Sequence, residues 1–130
     1  AMLNGRSIHV SGKNDTQESV VSTGFPIDKD RNPDNNLDNL ARILPMVRGV
    51  RRQGSAAFDL CCVAAGILDG YWEFNLHLWD VCAGILMVTE AGGTVRSFRE
   101  DRNVSIVAGT PAIVEQLYPR LSDKPGKICL

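Results

Sequence analysis

The spacing of hydrophobic residues along this chain switches repeatedly between strand-like alternation and helical periodicity. Leu3–Val10 alternates roughly and contains Asn4-Gly5, a dipeptide suited to tight hairpin turns. It reads as a returning strand whose first strand would precede this chain. The β-rich segment Ser19–Phe25 ends near Pro26, and a polar loop, Asp28–Asn36, follows. Leu37, Leu40, Ile43 and Leu44 fall at helical spacing within Asn36–Met46. Gly49–Arg52 reads as a short basic strand, and Ala56–Leu68 as a second helix stopped by Asp69-Gly70. Tyr71–Phe74 is a strand, and Asp80–Ala91 a third helix closed by Gly92-Gly93. Thr94–Phe98 and Val104–Ala108 are strands around the charged turn Arg99–Asn103. Pro111 opens a last helix through Ala112–Leu121, and the tail from Ser122 reads as unstructured.

Two of these helices, Ala56–Leu68 and Val81–Ala91, are apolar nearly all round, the pattern of a helix sandwiched between layers. Alternating strands and helices with such segments predict an α/β fold, a mixed sheet sandwiched by helices. They also predict that this unit packs against further layers.

Composition narrows the class. At 130 residues, 44% hydrophobic and 22% charged, the chain can bury a core as one domain or as half of a larger fold. A net charge of −1 gives no electrostatic basis for nucleic-acid binding. The longest apolar stretch, Val81–Val88, is too short to cross a bilayer, and the first residues lack the charged and apolar regions of a signal peptide. A cytoplasmic protein without a membrane partner is expected. Cys61, Cys62, Cys82 and Cys129 show no metal spacing or disulfide framework, so buried, reduced thiols are expected.

Three features carry candidate chemistry. Asp80 leads an apolar helix, where a carboxylate is either a plain cap or a group placed to hold a cation beside a phosphate. Gly54-Ser55-Ala56-Ala57 lies at a strand-to-helix junction. Its small residues admit a ligand to the free N–H groups of a helix start, or simply make an N-cap that packs closely. In Tyr71-Trp72-Glu73-Phe74, alternation puts Trp72 and Phe74 on one face and Tyr71 and Glu73 on the other. Glu73 then either accepts hydrogen bonds from substrate hydroxyls or pairs with one of Arg48, Arg51 and Arg52. The remaining acids offer little: Asp28, Asp30, Asp34 and Asp38 read as solvated, Asp59 and Asp69 bracket a helix, and Glu90 is a surface acid.

Trp79-Asp80, Ala83-Gly84 and Glu90-Ala91-Gly92-Gly93, with Gly54-Ser55-Ala56-Ala57 and Leu68-Asp69-Gly70-Tyr71-Trp72-Glu73 upstream, closely resemble the C-terminal half of the inositol monophosphatase family. Ser22-Thr23-Gly24-Phe25-Pro26 and Leu3-Asn4-Gly5 extend the resemblance to all but the tail, which sets the expected domain at residues 1–121 and the tail at 122–130. The resemblance implies a layered αβαβα sugar-phosphatase-type fold and a magnesium-dependent phosphomonoesterase, usually a homodimer. It implies Asp80 as a metal ligand for Mg2+, also in contact with substrate, Glu73 as an acid that binds substrate hydroxyls, and Gly54, Ser55 and Ala56 as backbone contacts to the inositol ring. Inositol monophosphate or a similar small sugar phosphate is the implied substrate, with fructose 1,6-bisphosphate and 3′-phosphoadenosine 5′-phosphate as rivals.

The family's other metal ligands and activating residues lie in an N-terminal half. Pro26-Ile27-Asp28-Lys29-Asp30 only superficially resembles one of those motifs, because Phe25 and Lys29 replace its first acid and its glycine. The expectation is a chain that supplies part of an active site, needs the other half of the same protein, and is inactive alone. A non-catalytic dimerisation or docking module, with Arg51-Arg52 as a contact patch, is the alternative.

Overall fold

The computed structural model describes residues 1–121. A two-residue hairpin comes first: β1 (Met2–Leu3) pairs antiparallel with β2 (Arg6–Ser7) around Asn4 and Gly5, both with positive φ. Both strands of the hairpin therefore lie in this chain, which corrects the expectation of a lone returning strand.

The main sheet has the order β4-β3-β5-β7-β6. Its strands are β3 (Val20–Thr23), β4 (Gly49–Arg51), β5 (Gly70–Leu76), β6 (Thr94–Ser97) and β7 (Val104–Gly109). β3 runs parallel to β4 and to β5, while β7 lies antiparallel between β5 and β6. The helices are α1 (Leu37–Ile43), α2 (Ala56–Ala64), α3 (Leu78–Glu90) and α4 (Pro111–Leu117). The chain leaves β3 toward β4 through α1, then returns across β3 to β5 through α2. Two right-handed crossovers in opposite directions put their helices on opposite faces of the sheet.

Two cores result. α2 and α3 pack through Leu60, Val63, Val81 and Val88 against the sheet face that carries Tyr71, Ile106 and Ala108. α1 and α4 pack through Ile43, Ile113, Val114 and Leu117 against Trp72, Phe74 and Val107. The alternation expected for β5 is thus realised, with Trp72 and Phe74 on one side and Tyr71 on the other. Gly84 lets α2 and α3 approach closely, since a β-carbon there would stand 2.6 Å from Leu60.

Several sequence expectations change. Asp34 and Asp38 are buried, not solvated. Asp34 is held by Arg99 and Arg102, partners 65 and 68 residues away along the chain. Cys61 and Cys82 are exposed while Cys62 is buried, because the outward face of α2 and α3 carries no layer within the described residues. Phe58 and Leu86 are exposed on that same helical layer. Cys129 and the tail lie outside the described residues. No helix among the described residues is long and apolar enough to cross a membrane.

Candidate functional site

The parallel strands β4, β3 and β5 end on the same edge, and a crevice of about 340 Å³ opens there. Open α/β sheets form such crevices where successive connections diverge to opposite sides of a strand. Gly24 and Phe25 follow β3, Arg52 and Gly54 follow β4, and Glu73 and Leu76 come from β5. Ser55, Ala56, Ala57 and Asp59 come from the start of α2, and Asp80 from the start of α3. The five residues singled out in the sequence, Gly54, Ser55, Ala56, Glu73 and Asp80, thus line one cavity.

Each arrives there for a local reason. Gly54 has φ +85°, a conformation open to glycine, and turns the chain from β4 into α2. The Arg52 guanidinium folds over it, with Nη1 2.7 Å from where a β-carbon would stand. Ser55 caps α2, its hydroxyl accepting from Phe58 N at 3.3 Å. It is therefore an N-cap and a cavity residue at once, and the remaining N–H groups of the first turn lie beside the crevice.

Asp80 does not open its helix. α3 begins at Leu78, with His77 as N-cap, and Asp80 occupies the third helical position. Its Oδ2 accepts from His77 N at 3.1 Å in a capping box, which fixes the carboxylate at the helix start. Beside it the His77 and Trp79 rings stack, 4.3 Å between centroids. Asn75 has φ +61°, and the β5–β7 register shifts between Glu73 and Leu76, bending β5 as it enters this turn.

Glu73 makes no ion pair with Arg48, Arg51 or Arg52 within 4 Å among the described residues. Its partner is the Tyr71 hydroxyl, which donates to Oε2. Burial pushes the Glu73 carboxyl above its ordinary value; the Tyr71 hydrogen bond opposes this, and the Asp59 charge adds to it. Burial and the Glu73 charge likewise push the Tyr71 phenol up, so it stays protonated and donates.

Asp59 is the residue the sequence reading passed over. It is buried, lines the cavity and accepts from Gln53 Nε2 at 2.8 Å. Burial raises its carboxyl pKa against the opposing effects of Ser22, Gln53 and Arg52. The Ser22 hydroxyl makes no hydrogen bond of standard geometry among the described residues, although it lies near enough to favour ionised Asp59. Helical spacing carried the missing signal: residue 59 lies four positions after Ser55 and three after Ala56, on their face of α2. The cavity therefore holds three carboxylates against one guanidinium, an electrostatic setting that favours a cation.

Comparison with known proteins places the chain in a family. The sequence model of the inositol monophosphatase family matches residues 1–124. The chain is 46% identical over 105 residues to a protein named Nus factor SuhB from Pseudomonas aeruginosa, a match covering 75% of this chain and 37% of that protein. It is also 46% identical over 98 residues to an inositol-1-monophosphatase of Synechocystis, covering 75% of this chain and 34% of that protein. The solved structure of an inositol monophosphatase from Anabaena superposes with a TM-score of 0.83 at 38% identity, covering 90% of this chain and 50% of that one. The chain spans between a third and a half of the length of these relatives. Its mixed sheet between helical layers is their layered α/β fold, and this chain belongs to the inositol monophosphatase family.

Proposed function

We propose that this chain forms part of the active site of a magnesium-dependent phosphomonoesterase that hydrolyses inositol monophosphate or a similar small sugar phosphate. The observation that carries this reading is the convergence of Asp80, Glu73 and the capped start of α2 on one crevice at the strand ends. Family membership supplies the phosphatase class, and the name of the Synechocystis relative supplies inositol 1-phosphate as the first substrate to try.

The donor set fits a hard divalent cation in part. Asp80 uses Oδ2 on His77 N, which leaves Oδ1 without a partner inside the capping box. No group of three or more His, Cys, Asp or Glu among the described residues could hold a metal ion by itself. Magnesium prefers about six oxygens, several from water and phosphate. Asp80 is therefore assigned as one ligand, with the rest from substrate, water and residues beyond this chain. When bound, magnesium supplies Lewis acidity toward a phosphoryl oxygen.

The chain's own groups handle the alcohol side. Glu73, seated by Tyr71, accepts from a ring hydroxyl, and the backbone of Gly54, Ser55 and Ala56, which lines the same crevice, contacts the ring. Together they orient the ester for displacement, which converts binding energy into rate. The same reading takes the working protein to be a cytoplasmic homodimer, and this chain alone to be inactive.

A second reading is a non-catalytic docking module. Exposed Phe58 and Leu86, Arg52 without an ion pair within 4 Å among the described residues, and the Nus factor name of the Pseudomonas relative favour it. Phosphate release from inositol 1-phosphate by the intact protein, with magnesium titrated against wild type and Asp80→Asn, separates the two. The enzyme reading expects magnesium-dependent turnover that Asp80→Asn abolishes, and no turnover in the wild type would leave only the docking reading.

A further inference from the structure

Asn36 lies behind the crevice, fully buried, with a left-handed backbone of φ +76°. Its side chain spends its whole hydrogen-bonding capacity. Nδ2 donates to Thr23 Oγ1 at 2.9 Å and to the Gly24 carbonyl at 2.7 Å. Oδ1 accepts from Trp72 Nε1 at 2.9 Å and from Asn39 Nδ2 at 3.0 Å. Thr23 Oγ1 closes the circuit by donating to the Trp72 carbonyl at 2.6 Å. A buried polar network with every member satisfied specifies one arrangement of the groups it joins.

The groups joined here are the end of β3 and the middle of β5. Gly24 forms the seat of the Glu73 carboxylate, and Trp72 directly precedes Glu73 on the opposite face of the strand. On the other side of Glu73, Phe74 is flanked by Arg99 and Arg102, 4.9 and 5.4 Å from its ring centre. Both arginines are tied to Asp34, two residues before Asn36. The loop ahead of α1 thus grips both neighbours of Glu73 from behind.

We propose that Asn36 is a positioning residue for alcohol recognition: by fixing Gly24 against Trp72, it seats the Glu73 carboxylate that faces the crevice. The inference rests on the sugar-phosphate reading above, and deepens it by separating recognition of the alcohol from handling of the phosphate. Asn36→Ala frees the Gly24 carbonyl and the Trp72 indole, so the seat of Glu73 loosens while Asp80 and the α2 start stay in place.

The test measures kcat and KM of the intact protein on inositol 1-phosphate and on 4-nitrophenyl phosphate, whose alcohol has no further hydroxyls. Asn36→Ala should raise KM for inositol 1-phosphate about tenfold, with kcat and the nitrophenyl KM within about threefold of wild type. Trp72→Phe removes the indole donor together with part of the buried ring volume, and should give the same selectivity at about threefold beyond that of Val88→Ala at an equal fall in Tm, which covers the case in which Asn36→Ala does not fold. Val88→Ala, in the other core, controls for lost stability. Equal losses on both substrates, or a selectivity reproduced by Val88→Ala at the same fall in Tm, would overturn the inference and leave the phosphatase reading intact. A wild type that releases phosphate from neither ester would remove both.

Discussion

The Glu73 carboxylate lies directly against Gly24: a β-carbon built on that glycine would stand 2.3 Å from Oε1. Strand β3 is therefore followed by glycine where a neighbouring strand needs room for a charged group, not where the backbone needs freedom. The group in the way is the far end of a flexible side chain, so the conflict is relieved by moving the carboxylate.

That relief sets the first prediction. Gly24→Ala should cost little stability, about 1 kcal/mol, since side chains shift more cheaply than backbone. Its effect on the site should be larger, with Glu73 pushed off its seat and KM for a polyol phosphate rising several-fold, about tenfold. Denaturant titration and steady-state kinetics of the same variant check both halves. A large loss of stability with unchanged KM would mean that the carboxylate has no second place to go.

The raised pKa values of Glu73 and Asp59 make a prediction about pH. The folded protein favours their protonated forms, so between the ordinary carboxylate pKa, about 4, and the raised folded values it binds more protons than the unfolded chain. Stability from these groups is therefore full below that window and falls as pH rises through it. Glu73→Gln keeps an acceptor for Tyr71 and removes the buried charge. It should raise Tm at pH 7 and leave it unchanged near pH 4, while weakening substrate binding. A Tm gain of equal size at both pH values would contradict the assignment.

The ion pairs behind the site predict an asymmetry. Arg99 is bidentate to both Asp34 and Asp101, at 2.7–3.0 Å. The Asp34 side chain is 9% exposed and that of Asp101 50%. Asp34→Ala removes the buried partner and should cost about 3 kcal/mol, because a buried guanidinium loses compensation. Asp101→Ala should cost about 1 kcal/mol or less, because water replaces an exposed partner. Chemical denaturation of the two variants checks the ratio.

Much of this was legible in the residues. The 3.6-residue spacing of Leu37, Leu40 and Leu44 and the glycines after Ala91 marked helices, and the alternation in Tyr71–Phe74 assigned the faces of β5. Asp80 and Ser55 at helix starts and Glu73 on an alternating strand each had a local signature, and the resemblance to the inositol monophosphatase family joined them as a set. What escaped was set by distance along the chain. Asp34 looked solvated because Arg99 is 65 residues away, and Asn36 looked like loop because its partners are on β3 and β5. Asp59 escaped for a different reason, since the helix that carries it also explained it. The exposure of Cys61 and Cys82 depends on what covers the outer helical face, which periodicity within one helix does not specify.

The account turns on Asp80 holding a metal ion beside a ring-binding Glu73. A crystal structure of the intact protein with manganese in place of magnesium and inositol 1-phosphate bound, read by anomalous scattering, tests this most directly. The account predicts an anomalous peak about 2.1 Å from a carboxylate oxygen of Asp80, with a ring hydroxyl within hydrogen-bond reach of Glu73. Manganese bound elsewhere, with Asp80 serving only the His77 N–H, would contradict it.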